Sequence, residues 1–442
     1  MTMKKIKHSA GIRIFIIGFL TLILLIPSVL IQELISEREN RRDSVSLEVS
    51  EKWGASQTVT GPILSVPYLH KTENEGEIRT TVRYAHFLPE QLSVEGTIEP
   101  EIRYRGIFET IVYTTSLSIS GHFSPLAFNG LTISPGDFMP DQAIVSIGIS
   151  DMTGISEVIP IEWDGQRYMA GPGIATRDVL VSGVSITPGI VANREYNFNA
   201  ELRLNGSTEL LFTPAGEQTT VNLSSGWPNP SFTGNFLPDQ REVTSSGFTA
   251  NWNVLHLNRN FPQKWLGPNQ EVSNSSFGIE LLPSVDPYQK TMRTAKYAIL
   301  FISLTFLTFF MFELFGKKPI HPIQYLLIGI ALLIFYTLLL SLSEHIAFGY
   351  AYTISAAAII LLITIYSHRI LAESRRTGIL LGVLTLLYGY LYILLQLQDY
   401  ALLLGSIGLL TVLAAVMFLT RNIDWFEVME SQSGSDSEMS KT

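Results

Sequence analysis

An uncharged apolar run of 18 residues, Ile14 to Ile31, is the strongest single constraint on this chain. A run of that length suits a helix crossing the ~30 Å hydrocarbon core of a bilayer. Lipid offers no partner for backbone N–H and C=O groups, so a crossing segment must pair them internally. Five more apolar segments follow Lys296, at 297–314, 323–342, 346–366, 379–397 and 400–418, uncharged but for Glu313. Residues 32–296 contain no comparable run. The expected fold class is a multi-pass α-helical membrane protein with six transmembrane helices. A large β-rich, sandwich-like extracytoplasmic domain would lie between helices 1 and 2.

Composition narrows the function classes. Charged residues make up 16% and hydrophobic ones 46%, with a mean hydropathy of +0.26. A charged fraction below the usual ~25% argues against a wholly soluble or disordered chain. The net charge of −9 argues against a nucleic-acid partner, which needs clustered Lys and Arg. That charge is unevenly divided. Residues 32–296 hold 19 basic and 30 acidic side chains, a net of −11, leaving +2 for the rest. There is no cysteine, which excludes disulfides, thiolate metal sites and a thiol nucleophile.

Orientation follows from the basic residues in short flanks. Lys4, Lys5, Lys7 and Arg13 precede the first run, and Lys317, Lys318, Arg369, Arg375, Arg376 and Arg421 fall on the same side of the later ones. The opposite short links, around Glu344-His345 and Asp399, have no Lys or Arg. The reading is therefore a cytoplasmic N-terminus over 1–13 and a signal anchor over 14–31. A periplasmic domain over 32–296, a five-helix bundle over 297–420 and an acidic cytoplasmic tail over 421–442 complete it. The first run exceeds the 7–15 apolar residues of a signal peptide and lacks a small-residue cleavage site, so it is expected to stay. Residues 34–45 can extend its helix.

Within the spans, Gly378 and Gly382, and Gly405 and Gly408, suggest close helix packing. Tyr350, Tyr352, Tyr366 and Tyr400 are placed as interfacial anchors. Tyr388 and Tyr392 should share one helix face, with Tyr390 on another. Ionisable residues deep in the spans would mark an ion or substrate path, and they are nearly absent. Glu313 is expected to reach the cytoplasmic interface near Lys317 and Lys318, and Arg13 to snorkel. Glu344, His345, Gln398 and Asp399, with Gln396, form a candidate outer-rim polar cluster. They read as solvated turn residues capping helix ends, as a polar patch against which the outer domain docks, or as a proton relay.

The insert shows period-two alternation at 101–105, 117–120, 143–149 and 198–204, broken by turn signals such as Asn205-Gly206 and Pro172-Gly173. Trp53, Trp163, Trp227, Trp252 and Trp265 are expected to build its core. No phosphate-binding loop, His-Glu-x-x-His helix or nucleophile elbow occurs. His70, His86, His122 and His256 lack metal-ligand spacing. No catalytic residue, cofactor or metal is expected.

Several motifs are similar to those of a known family. In the insert they are Trp53-Gly54-Ala55-Ser56-Gln57 with 61–68, then Asn205-Gly206-Ser207 with 211–216, 230–238 and 247–252. In the membrane half they are Lys296-Tyr297-Ala298, His321-Pro322-Ile323-Gln324-Tyr325, 340–345, 399–406 and 420–425. In this order they resemble the CreD family over nearly the whole chain. The resemblance implies a Gram-negative inner-membrane protein of cell-envelope integrity, tied to a two-component stress response, with no assigned catalytic residue. The leading expectation is a non-enzymatic envelope protein acting by contact, with the bilayer, and envelope proteins or lipids, as partners. The alternative is a transporter or lipid-handling module using the Glu344, His345 and Asp399 cluster. A membrane-tethered wall or lipid hydrolase is a third.

Overall fold

The structure, a computed structural model, describes residues 10–421 except 75–76, 129, 192, 284–285, 317–318, 372 and 398–399. It divides into a helical unit, the chain up to Arg41 together with that from Asp286 onward, and a β-rich unit, Arg42–Val285.

Seven α-helices are described: α1 (Ala10–Trp53), α2 (Pro287–Lys296), α3 (Ala298–Gly316), α4 (Pro322–Ser343), α5 (Phe348–Leu371), α6 (Ser374–Gln396) and α7 (Ala401–Thr420). Among the described residues, α1 and α4 to α7 are each long and apolar enough to cross a membrane. The α2–α3 pair, bent by 44°, passes only when taken together, so the count is five, or six with the pair. Local chemistry sets the helix starts. Asp286 caps α2, its carboxylate accepting from the backbone N–H of Tyr288 at 2.9 Å and Gln289 at 3.2 Å, with Pro287 in the first turn. At α4 the Gln324 side chain reaches back to the His321 N–H at 3.0 Å, and Pro322 follows the cap. α1 outlasts its apolar run and the expected extension, ending where Gly54 takes a φ of +143°.

Packing in the helical unit differs from the glycine expectation. A Cβ on Gly378, Gly382 or Gly405 would meet nothing within 4 Å. The buried stripe of α6 runs from Thr377 through Leu380, Leu384, Leu387, Tyr388 and Leu391 to Leu394 and Leu395, and the α6 glycines lie off it. Close approach occurs instead at Gly329 of α4, where a Cβ would fall 2.2 Å from Leu24 Cδ1. Leu24 and Ile35 are the buried apolar residues by which α1 docks. At Gly408 the Tyr390 ring fills the space, and its hydroxyl donates to the Leu404 carbonyl.

The tyrosines of α6 divide as expected. Tyr388 packs on Phe335 with centroids 4.8 Å apart, and Tyr392 packs on Tyr352 at 5.2 Å. Tyr352 departs from the interfacial reading. It is buried, and its hydroxyl donates to the Tyr388 carbonyl at 2.7 Å. A phenol in an apolar helix pack needs such an acceptor, because lipid supplies none. Tyr350 and Tyr400 are exposed.

In the β-rich unit one sheet runs in the order Pro230–Gly234, Phe277–Leu281, Glu209–Thr213, Gln57–Asn74, Ile144–Ile149, Gly183–Ile186, Gly171–Pro172. Glu77–Phe87 also pairs with Gln57–Asn74, and Lys264–Leu266 pairs with Glu77–Phe87. The second sheet runs Gln240–Thr244, Gly247–Leu255, Gln218–Ser225, Gln91–Arg105, Phe108–Phe123, Tyr196–Ser207, Pro160–Trp163, Gln166–Met169. Inner faces of both contribute to one apolar core. Trp252 of the second sheet lies 5.8 Å from Phe277 of the first, and Trp163 stacks on Tyr196 at 5.3 Å. Trp53 and Trp227 are only half-buried, each donating its indole N–H to a backbone carbonyl.

Alternation is realised at Phe198, Ala200, Leu202 and Leu204, all buried between outward polar residues. Two other alternating stretches behave differently. Residues 101–105 form the far end of a long hairpin, where Ile102 and Tyr104 are exposed. There the pattern reflects strand propensity without a buried face. Around Ile144–Ile149 alternation is lost because residues on both faces are buried, with the core residue Leu180 lying against Gly148.

Candidate functional site

Among its described residues the helical unit contains two buried carboxylates, each met by one arginine and one tyrosine. Glu313 of α3 is 5% exposed. It accepts from Arg13 Nη1 at 2.6 Å, from the Tyr325 hydroxyl at 3.2 Å and from the Ile320 N–H at 3.3 Å. The expected interfacial neighbours Lys317 and Lys318 lie outside the described residues. A carboxylate this buried needs several donors and a counter-charge, and Arg13 supplies the charge from α1.

Glu344, which caps the C-terminus of α4, has the corresponding arrangement. Arg38 Nε and Nη2 donate to its two oxygens at 2.9 and 2.8 Å, a bidentate fork, and the Tyr288 hydroxyl donates at 3.0 Å. Its side chain is only 4% exposed, so Glu344 is no solvated turn residue. His345, next in sequence, is exposed, and its Nδ1 lies 3.0 Å from the Ser341 carbonyl. The structure therefore separates these two neighbours, one turned inward and one outward. Gln396 is exposed. Gln398 and Asp399 lie outside the described residues.

Both arginines come from α1, 25 residues apart. At 1.5 Å per residue that is about 37 Å along the axis, a little more than the hydrocarbon thickness. The charge pairs thus fall at the two ends of a membrane-length segment. The arginines flanking the first apolar run were visible in the sequence, but their partners lie about 300 residues away.

The β-rich unit holds one polar cluster that isolated histidines did not announce. Ser65 Oγ lies 3.0 Å from His86 Nδ1, and Asp178 Oδ2 lies 3.6 Å from His86 Nε2. The Trp265 ring sits 5.4 Å from the imidazole. His86 is 1% exposed, and burial pushes its pKa down to about 4 although Asp178 pulls the other way. The ring is neutral near pH 7, so the Asp178 contact is not a salt bridge there. Ser65 is also buried, which withholds it from any substrate. A second buried group, Arg259, donates to the Phe261 and Gly216 carbonyls and to the Gln263 side chain. Burial lowers its pKa to about 10 against the opposing pull of Glu217. Among the described residues no three His, Asp or Glu side chains are placed to hold a metal.

Apolar membrane-length helices tied by buried charge pairs, joined in one chain to a two-sheet β unit, define a membrane protein with a large folded insert. The family profile described as Inner membrane protein CreD matches residues 9–426, and the chain belongs to the CreD family. A curated relative, the Inner membrane protein CreD of Escherichia coli K12, is 35% identical over 416 residues, covering 92% of this chain and 91% of its own. Among solved structures, a putative nutrient binding protein of Legionella pneumophila matches at a TM-score of 0.25 and 8% identity, over 48% of this chain and 82% of its own. An M1 zinc metallopeptidase of Deinococcus radiodurans matches at 0.19 and 12%, over 38% and 39%. Scores this low carry no argument about fold or activity.

Proposed function

We propose that this chain is an inner-membrane protein of envelope integrity that acts by contact, without catalysis, by holding its β-rich unit at the outer side of the membrane. In this reading the apolar first part of α1, α3 with α2 leading into it, and α4 to α7 make six spans, both termini are cytoplasmic, and residues 32–296 are periplasmic. The observation that carries it is the pair of Arg–Glu–Tyr clusters. They give α1 a polar fastening at each end of a membrane-length segment, as a retained anchor requires and a cleaved leader does not.

The transport reading rests on Glu344, His345 and Asp399. Glu344 already receives three hydrogen bonds from Arg38 and Tyr288, so an anchoring role suits it better than a substrate role. The test is rescue of a strain lacking the chain, scored as survival of detergent and cell-wall stress. The full chain should rescue, and a version lacking residues 54–283 should not. Equal rescue by the truncated version, at matched protein level, would overturn the reading.

A further inference from the structure

The outward face of the second sheet carries an ordered polar array. Strand register sets Asn222, Glu95, Ser118 and Glu201 side by side across four neighbouring strands. Two residues further along, Ser224, Thr97, Ser116 and Arg203 form a second row. Neighbouring strands are about 4.8 Å apart, so each row presents a polar group at that repeat over some 14 Å. Glu157, Val158 and Pro160, with Arg167 and Met169 of the strand Gln166–Met169, wall one side. The result is an open groove of about 810 Å³, within the size range of ligand sites.

The available chemistry is specific. Arg203 is engaged by Glu157 at 3.0 Å, and Asn222 accepts from Asn251. Glu95, Glu201, Thr97, Ser116, Ser118 and Ser224 make no side-chain hydrogen bond to the protein among the described residues, and all are open or half-open to solvent. The four central strands are flanked on both edges, so their backbone groups are consumed in the ladders and an extended peptide cannot add as a strand. Recognition must come from side chains. With no aromatic ring among the lining residues and only Val158 and Met169 as exposed apolar groups, an apolar ligand gains little. Three carboxylates against two guanidiniums disfavour a polyanion.

We propose that this groove binds a saccharide chain lying across the strands, its hydroxyls meeting the serine, threonine and glutamate side chains of the two rows. Glu95 and Glu201, two strands apart, favour sugars that carry free amino groups. The inference concerns the groove alone and does not depend on which side of the membrane it faces.

The probes are chitotetraose and its fully de-acetylated amine form, offered to the full chain in lipid nanodiscs and read by saturation-transfer NMR. Both should bind. The amine form should bind about tenfold tighter, the worth of roughly one charge-assisted hydrogen bond. Glu95→Gln with Glu201→Gln should abolish that preference, and Ser118→Trp should block both probes while leaving the circular dichroism unchanged. No saturation transfer in the unaltered chain, an unchanged amine preference in the double Gln variant, or tighter binding of dextran sulfate would each overturn the proposal.

Discussion

Arg38 is the most informative residue to remove. Its guanidinium makes two charge-assisted hydrogen bonds to Glu344, whose side chain is 4% exposed. Removing one partner of a buried ion pair costs about 3–5 kcal/mol, because the other charge is left buried and unpaired. Arg38 is itself 34% exposed, so water can partly replace it. The expected cost of Arg38→Met is accordingly nearer ~2–3 kcal/mol, with the Tyr288 hydroxyl still donating to the carboxylate. Replacing both partners, as Arg38→Met with Glu344→Gln, removes the stranded charge and should recover most of the loss. Unfolding free energies of the wild-type, single and double variants in mixed micelles give the coupling directly. A coupling of about 2 kcal/mol is expected. Additivity within ~0.5 kcal/mol, the behaviour of independent sites, would refute the fastening argument.

Other outcomes follow from His86 and Gly329. His86 has a folded pKa of about 4 against an ordinary 6.5, so between those values the unfolded chain binds the extra proton. The β-rich unit should therefore keep this stability above pH 6.5 and lose about 3 kcal/mol as the pH falls to 4. Hydrogen exchange in the strand Glu77–Phe87 should report that loss, and His86→Gln should flatten it; an unchanged slope in the variant would contradict the assignment. Gly329→Leu should drive a side chain into Leu24 and cost about 1–3 kcal/mol. Adding Leu24→Ala should restore part of the lost thermal midpoint, whereas Gly378→Leu, with open space around it, should cost less.

The membrane-length helices were legible because each is a local property of about twenty consecutive residues. The strands were legible as strands for the same reason, from alternation and turn signals. Their arrangement was not. Gln57–Thr60 pairs in parallel with Leu210–Thr213, and Gln91–Ile98 pairs in parallel with Gln218–Ser225, across more than a hundred residues. No local pattern encodes such pairings. The candidate site divides in the same way. Glu344 was picked out by its place at the rim, but its partners Arg38 and Tyr288 were hidden by distance in the chain. Glu313 was read as reaching the interface beside Lys317 and Lys318, but its pairing with Arg13, 300 residues away, was not foreseen. The glycine pair of α6 shows the converse error. Its spacing is right for close packing, yet the apolar residues around it turn a different face inward.

Because the chain has no cysteine, a single introduced thiol reports which side of the membrane it occupies. Ser246→Cys lies in an exposed turn of the β-rich unit, and Ser374→Cys lies at the exposed start of α6. With the outer membrane permeabilised, a membrane-impermeant maleimide should label Ser246→Cys in otherwise intact cells. Ser374→Cys should react only after lysis, and the labelled Ser246→Cys chain should retain an N-terminal tag. Labelling of Ser374→Cys in intact cells, protection of Ser246→Cys, or loss of the tag would contradict an α1 anchor presenting the β-rich unit on the outer side.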